Sequence, residues 1–187
     1  MAKFTKMAIM QSFMKLLNAK AFEAITVKDI VDDCGINRNT FYYNFADIYA
    51  LVDEILQEEI NKIVQQHNPY HSWREGLLAA ADFALQNKNA ILHLHHSVKR
   101  PELDKYLQKV IYDVVAAFVE AESQGVAISP EDKALIAEFY SFALVGLLVK
   151  WIDHDMKEDF MAMVDRTGVL LDSNVRHAIE TIAKKTE

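Results

Sequence analysis

Four side chains between positions 38 and 43 have the chemistry to read nucleic acid. Arg38 offers a guanidinium, Asn39 a carboxamide, and Tyr42 and Tyr43 two phenolic hydroxyls. A guanidinium matches the two acceptors of guanine in the major groove. A carboxamide matches the acceptor and donor of adenine, and hydroxyls suit phosphate oxygens. This chemistry works only if the four groups stand on one open side of a rigid element. In a helix that starts near Arg38, Phe41 and Phe45 lie four residues apart and, with Ile36, form an apolar stripe. Packing that stripe inward turns Arg38, Asn39, Tyr42 and Tyr43 outward.

The elements that must hold this helix are marked by their ends. Thr26 caps a short helix, and Asp29, three residues on, closes a capping box; Ile30 and Val31 are its inward residues. Gly35 suits the left-handed residue that ends such a helix. Asn37 caps the next helix, from Arg38 to about Phe45. Two short helices joined by a glycine turn make a helix-turn-helix. Upstream, Thr5 is expected to cap a first helix to about Asn18, with Ile9, Phe13, Leu16 and Leu17 inward. Downstream, Asp47 is expected to cap a long fourth helix to about Gln66, and His67-Asn68-Pro69 breaks the chain. Helices are then expected over about 72–86, 89–98, 101–123, 130–153, 157–171 and 174–185. Ser129-Pro130-Glu131-Asp132 is the strongest of their start signals. No stretch reads as a strand pair. The expected fold is all-α: a helix-turn-helix module over residues 1–46, then a larger helical regulatory and dimerisation domain over 47–187.

Composition agrees with long helices. Five glycines and three prolines among 187 residues leave too few turn formers for a sandwich or barrel. The lone Cys34 excludes an internal disulfide and any multi-cysteine zinc site, and fits a reducing cytoplasm. The first residues show no signal-peptide pattern. Residues 134–152 are nearly all apolar but hold Glu138, Ser141 and Lys150, so a buried helix is expected there and no membrane span. Net charge is −7, which taken alone argues against a nucleic-acid partner. Its distribution argues otherwise. Residues 1–45 carry six basic and four acidic groups, whereas residues 46–187 carry 14 and 23.

Residues 25–31, Ile-Thr-Val-Lys-Asp-Ile-Val, and residues 34–45, Cys-Gly-Ile-Asn-Arg-Asn-Thr-Phe-Tyr-Tyr-Asn-Phe, resemble the TetR family of bacterial transcription regulators. That family shows Thr-Val-x-Asp-Ile-Ala, then Ala-Gly-Val-Ser, then Thr-Leu-Tyr-x-His-Phe. The likeness covers about residues 5–51. The Asn-Arg-x-Thr-Phe-Tyr-Tyr variant is similar to a subgroup that includes regulators of dihydroxyacetone utilisation. The resemblance implies that Thr26 contacts a phosphate, that Lys28 reaches a base or phosphate, and that Arg38, Asn39 and Thr40 read base edges. It further implies that Tyr42 bonds a phosphate and that Tyr43 and Asn44 border the groove. Two positions depart from the pattern. Asn44 stands where the family often has His, and Ala46-Asp47-Ile48 replaces a Ser-Lys step, so a phosphate-binding lysine is missing there. Lys3 and Lys6 are candidates to compensate as an N-terminal arm.

The helix from Pro130 to about Asp153 is apolar on more than one side, which requires burial on more than one side. One line runs Ile136, Tyr140, Ala143, Leu147, Trp151; the other runs Leu135, Phe139, Phe142, Gly146, Val149. The first line supplies the expected dimer contacts, Ile136, Tyr140, Leu147 and Trp151; a monomer core helix is the alternative. A homodimer would present two reading helices to two half-sites about 34 Å apart on a double-stranded operator. The family resemblance also implies a small-molecule effector pocket, for which Phe83, Tyr106, Phe118, Phe139 and Phe142 are candidates. His93 and His96 share a helical face but lack further donors at metal-binding spacing, so no metal site is assigned, and a metal-responsive sensor stands only as an alternative. No phosphate loop or nucleophile motif is present, and neither an enzyme nor a cofactor is expected. The expectation is therefore a cytoplasmic DNA-binding regulator, a repressor before an activator. A protein-docking relative with weak or lost operator binding is the other alternative.

Overall fold

The computed structural model describes residues 2–66 and 73–186. The expected break at His67-Asn68-Pro69 and the start of the next helix at position 72 lie outside them. The fold is all-α, and the described residues contain no strand. The helices are α1 Ala2–Ala19, α2 Val27–Cys34, α3 Arg38–Asn44, α4 Ile48–Gln66, α5 Trp73–Gln86, α6 Lys88–His95, α7 Arg100–Glu122, α8 Pro130–Asp153 and α9 Phe160–Thr186. A 3-10 turn, Phe22–Ala24, joins α1 to α2.

The caps that mark the short helices in the sequence are formed. Thr26 Oγ1 accepts the Asp29 amide at 3.2 Å, and an Asp29 carboxylate oxygen accepts the Thr26 amide at 2.9 Å. Gly35 ends α2 at φ 68°, ψ 31°, a conformation costly for any residue with a Cβ. Asn37 Oδ1 accepts the Thr40 amide at 2.8 Å, and Asp47 Oδ1 accepts the Ala50 amide at 2.7 Å. Ser129 Oγ accepts the Asp132 amide at 3.0 Å at the head of α8.

Two expectations about helix ends are corrected. Thr5 does not start α1, which already runs from Ala2. The two helices expected over 157–171 and 174–185 are one, α9. Asn174, the expected start of the second, donates its Nδ2 to the Leu170 carbonyl at 2.6 Å, and Asp172 beside it accepts the Trp73 indole N–H at 2.7 Å. Spent in these ways, they leave the helix intact.

The chain divides into two compact units, residues 1–59 with 84–104, and residues 60–83 with 105–187. In the first, α1 packs on α2 and α6, and α2 packs on α3. Its core holds Ile9, Phe13, Phe22, Ile30, Phe41 and Leu51. Ser12 Oγ donates to the Ile30 carbonyl at 3.2 Å inside that core. In the second, α8 packs on α9, and Ile111, Leu144, Leu148, Ile152 and Ile179 are buried. Gly76 lets α5 pass the Val114 side chain, which would lie 2.6 Å from a Cβ at that position. Among the described residues α8 is long and apolar enough to cross a membrane by length and composition alone. Here its Ile136, Ala137, Leu144, Leu148, Trp151 and Ile152 are buried against protein.

Candidate nucleic-acid interface

The helix-turn-helix is built from its own short-range bonds. Its third helix is pinned by Phe41, fully buried, and Phe45, nearly so, with their rings 5.9 Å apart. On the other side Arg38 and Asn39 are exposed, and so are Tyr42 and Tyr43, the latter at 85%. The Tyr42 ring stands edge-on to Phe41 at 5.4 Å, so its direction is set by the core beneath it. Arg38 makes no hydrogen bond or ion pair with the described residues. The arrangement therefore presents a free guanidinium, a carboxamide and two phenols on about two helical turns.

The other expected contact residues are committed internally. Thr26 Oγ1 donates to Asp29 at 2.8 Å while accepting its amide. Thr40 Oγ1 donates to Asn37 Oδ1 at 3.0 Å. Asn44 Nδ2 donates to the Thr40 carbonyl at 2.8 Å, which leaves its oxygen and its second N–H. Lys28 is paired with Asp32 one turn along α2, and that carboxylate raises the lysine pKa. Lys6 is not a free arm: it bonds Glu54 at 2.7 Å and lies over the Phe45 ring. The side chain of Lys3 lies outside the described set.

Electrostatics around α2 follow from the same pairs. The Lys20 ammonium, with the Thr26 amide and hydroxyl, lowers Asp29 to about 2. Lys15 lowers Asp33. Burial raises the Cys34 thiol, whose Sγ donates to the Ile30 carbonyl at 3.0 Å, so the sulfur is a packed thiol.

Two family models match the chain. One, described as bacterial regulatory proteins of the tetR family, covers residues 9–55, and the other, a transcriptional regulator C-terminal region, covers residues 71–173. The chain belongs to the TetR family. This TetR-family transcriptional regulator is similar to the HTH-type dhaKLM operon transcriptional activator DhaS of Lactococcus lactis subsp. lactis, at 26% identity over 84 residues. That match spans 45% of each chain, under half the length of the curated relative. A solved structure described as dihydroxyacetone kinase operon activator DhaS superposes with a TM-score of 0.76 at 17% identity, covering 92% of this chain and 96% of that one. This second likeness carries the fold.

The residues expected to serve the regulator's body are distributed differently from the expectation. Ile136 and Trp151 lie in the chain's own core, which corrects their assignment to a subunit interface; Tyr140 and Leu147 are half-buried. A helix apolar on every side cannot announce which line its own chain will cover. The line left exposed is the other one, Leu135, Phe139 and Phe142. The five candidate pocket residues do not share one lining either. Tyr106 is buried, Phe83 and Phe118 are half-buried, and Phe139 and Phe142 point to solvent. Phe139 borders a groove of about 750 Å³ between α8 and α9, with Tyr140, Leu147, Lys150, Met163 and Leu170, while Phe142 borders a separate one of about 440 Å³.

His93 and His96 also have local uses. The His93 ring Nδ1–H donates to the Leu17 carbonyl at 2.7 Å, tying α6 to α1, and that of His96 donates to the Leu92 carbonyl at 2.8 Å. The described residues contain no group of three donors able to hold a metal ion.

Sequence reasoning missed one cluster in the first unit. Lys99, nearly buried, stands 4.8 Å above the Tyr49 ring and 3.1 Å from Glu102. Glu23 accepts the Val98 amide at 3.2 Å, and Asn18 accepts the Ala90 amide at 3.2 Å. Residues 84–104 are thereby fastened to the helix-turn-helix. Partners some 70 positions apart leave no periodic signal in a single sequence.

Proposed function

We propose that this regulator acts as a homodimer on a double-stranded DNA operator, with α3 as the reading helix. Residues 1–46 would be the DNA-binding module and 47–187 the regulatory and dimerisation domain. The observation that supports this reading is the two-sidedness of α3: Phe41 and Phe45 are buried while Arg38, Asn39, Tyr42 and Tyr43 are open. In the proposal, Arg38 and Asn39 read base edges at the helix N-terminus, Thr40 adds an edge contact, and Tyr42 bonds a phosphate. Tyr43 and Asn44 border the groove, and Thr26 and Lys28 contact the backbone from α2.

A second copy of the chain is the occupant proposed for the apolar face of Leu135, Phe139 and Phe142 on α8 with Val169 and Leu170 on α9. Rings and branched chains left in water in such number favour burial by assembly. A small-molecule effector would act by binding one spacing of the two reading helices better than another. The reading includes no catalytic step and no cofactor, and puts the protein in the cytoplasm with its DNA.

The direction of regulation is a separate matter. Repression is the expectation from the family at large. Both relatives described above are named as activators, and this favours activation here. The test is a duplex titration followed by a promoter fusion. The promoter of a dihydroxyacetone kinase operon is the first probe, chosen from those names. Operator binding should weaken steeply with salt and exceed binding to a scrambled duplex. Reporter output that rises with the protein establishes an activator, and output that falls establishes a repressor. Equal affinity for both duplexes removes the operator reading.

A further inference from the structure

The DNA-facing unit carries fewer free cations than its sequence suggests. Within residues 1–59 four lysines have described side chains, and each is held by a carboxylate. Lys6 is held by Glu54 at 2.7 Å, Lys15 by Asp33, Lys20 by Asp29 at 3.0 Å, and Lys28 by Asp32. Arg38 has no such partner among the described residues.

The Lys28–Asp32 pair is the one that matters for DNA. Both side chains lie on the outer face of α2, 65% and 59% exposed, and Lys28 is close enough to Arg38 for the two positive charges to oppose each other. The charged groups that face Lys28 are thus Asp32, Asp29 and Arg38. An exposed pair of this kind is weak and screened by salt, so a phosphate can take the ammonium from it. The carboxylate then stays behind, close to the phosphate and of the same sign. Sequence-independent binding draws nearly all its strength from lysine and arginine neutralising phosphates. A residue that occupies one of the few available ammonium groups lowers that strength directly.

We propose that Asp32 is a competitor for DNA phosphate built into α2: it occupies the Lys28 ammonium in the free protein and so holds down the sequence-independent part of DNA binding. This rests on the reading of α2 and α3 as a DNA-contacting face. Base reading by Arg38 and Asn39 does not pass through it.

The experiment uses the full chain and a mixed-sequence duplex, with anisotropy titrations over a salt series, for wild type, Asp32→Asn, Lys28→Gln and the double variant. Asp32→Asn should bind about three- to tenfold tighter at the lowest salt, and its plot of log K against log salt should steepen, because no carboxylate is left beside the phosphate. Adding Lys28→Gln should remove both gains. Asp32→Ala, which also lacks the carboxylate, should repeat the result of Asp32→Asn. Unchanged affinity and slope in Asp32→Asn overturn the proposal while leaving DNA binding standing. A gain that survives in the double variant also overturns it, because the effect is then plain charge and not competition for Lys28. If neither wild type nor Asp32→Asn binds any duplex at any salt, the DNA reading itself falls, and the proposal with it.

Discussion

Helices α3 and α8 both set aromatic rings in water, for different reasons. On α3 the exposed rings are Tyr42 and Tyr43, above a buried Phe41 and Phe45. On α8 they are Phe139 and Phe142, above a buried Leu144 and Leu148. A phenol carries its own hydrogen-bonding group, so the α3 surface is satisfied when wet and can exchange water for a polar partner. A phenyl ring has nothing to offer water, and α8 gains only when something apolar covers it. The contrast underlies the proposal that α3 meets a charged, polar ligand and α8 another protein face.

The comparison breaks first at the core beneath α3. Phe41→Ala removes a fully buried ring and should cost about 3–5 kcal/mol in urea unfolding, whereas Tyr43→Ala, two positions away, should stay within about 0.5 kcal/mol. Similar losses at the two sites would erase the two-sidedness of the helix. On α8, Phe139→Asp should leave the fold intact and weaken dimerisation by about 2 kcal/mol or more, roughly thirtyfold, in sedimentation equilibrium. A variant that sediments as the parent does at every concentration would free that face for some other role.

The next effect sharpens the chemistry assigned to α3. Arg38→Ala should lose about 1–3 kcal/mol on the operator and relax base preference at one position. An equal loss on every sequence would make Arg38 a phosphate contact. A smaller effect belongs to the cap that holds α2 under α3. Thr26→Ala should cost about 1 kcal/mol in thermal unfolding, because the Asp29 amide then loses its acceptor.

The smallest effect is one of pH. The ordinary value of Asp29 is 3.8, and its folded value is about 2. Since the folded value is the lower, its contribution to stability is complete above about pH 4, and it is lost as pH falls from there through about 2. Asp29→Asn should flatten the acid limb of the stability curve in that window and leave the neutral region's pH dependence unchanged. A wild-type acid limb that survives in Asp29→Asn assigns it to other carboxylates.

The parts of the molecule that were legible in the sequence are those closed by short-range bonds. The Thr26–Asp29 box, the left-handed Gly35 and the Asn37 cap each form within a few residues, so residue types and spacing were enough to find α2, α3 and the side of α3 that stays open. The same spacing carried the family resemblance. Where a side chain finds a distant partner, spacing misleads. Asn174 looks like the start of a helix, yet it bonds its own preceding turn while Asp172 beside it bonds Trp73, and α9 continues through them.

The sequence alone therefore determined an all-helical chain, the position of its helix-turn-helix and the residues on the open side of the third helix, because local hydrogen bonds and a four-residue apolar repeat suffice for each. Only the tertiary structure decided which line of α8 is covered, that Lys6 is held by Glu54, and that residues 84–104 pack with the N-terminal helices. All three depend on contacts between residues far apart in the chain.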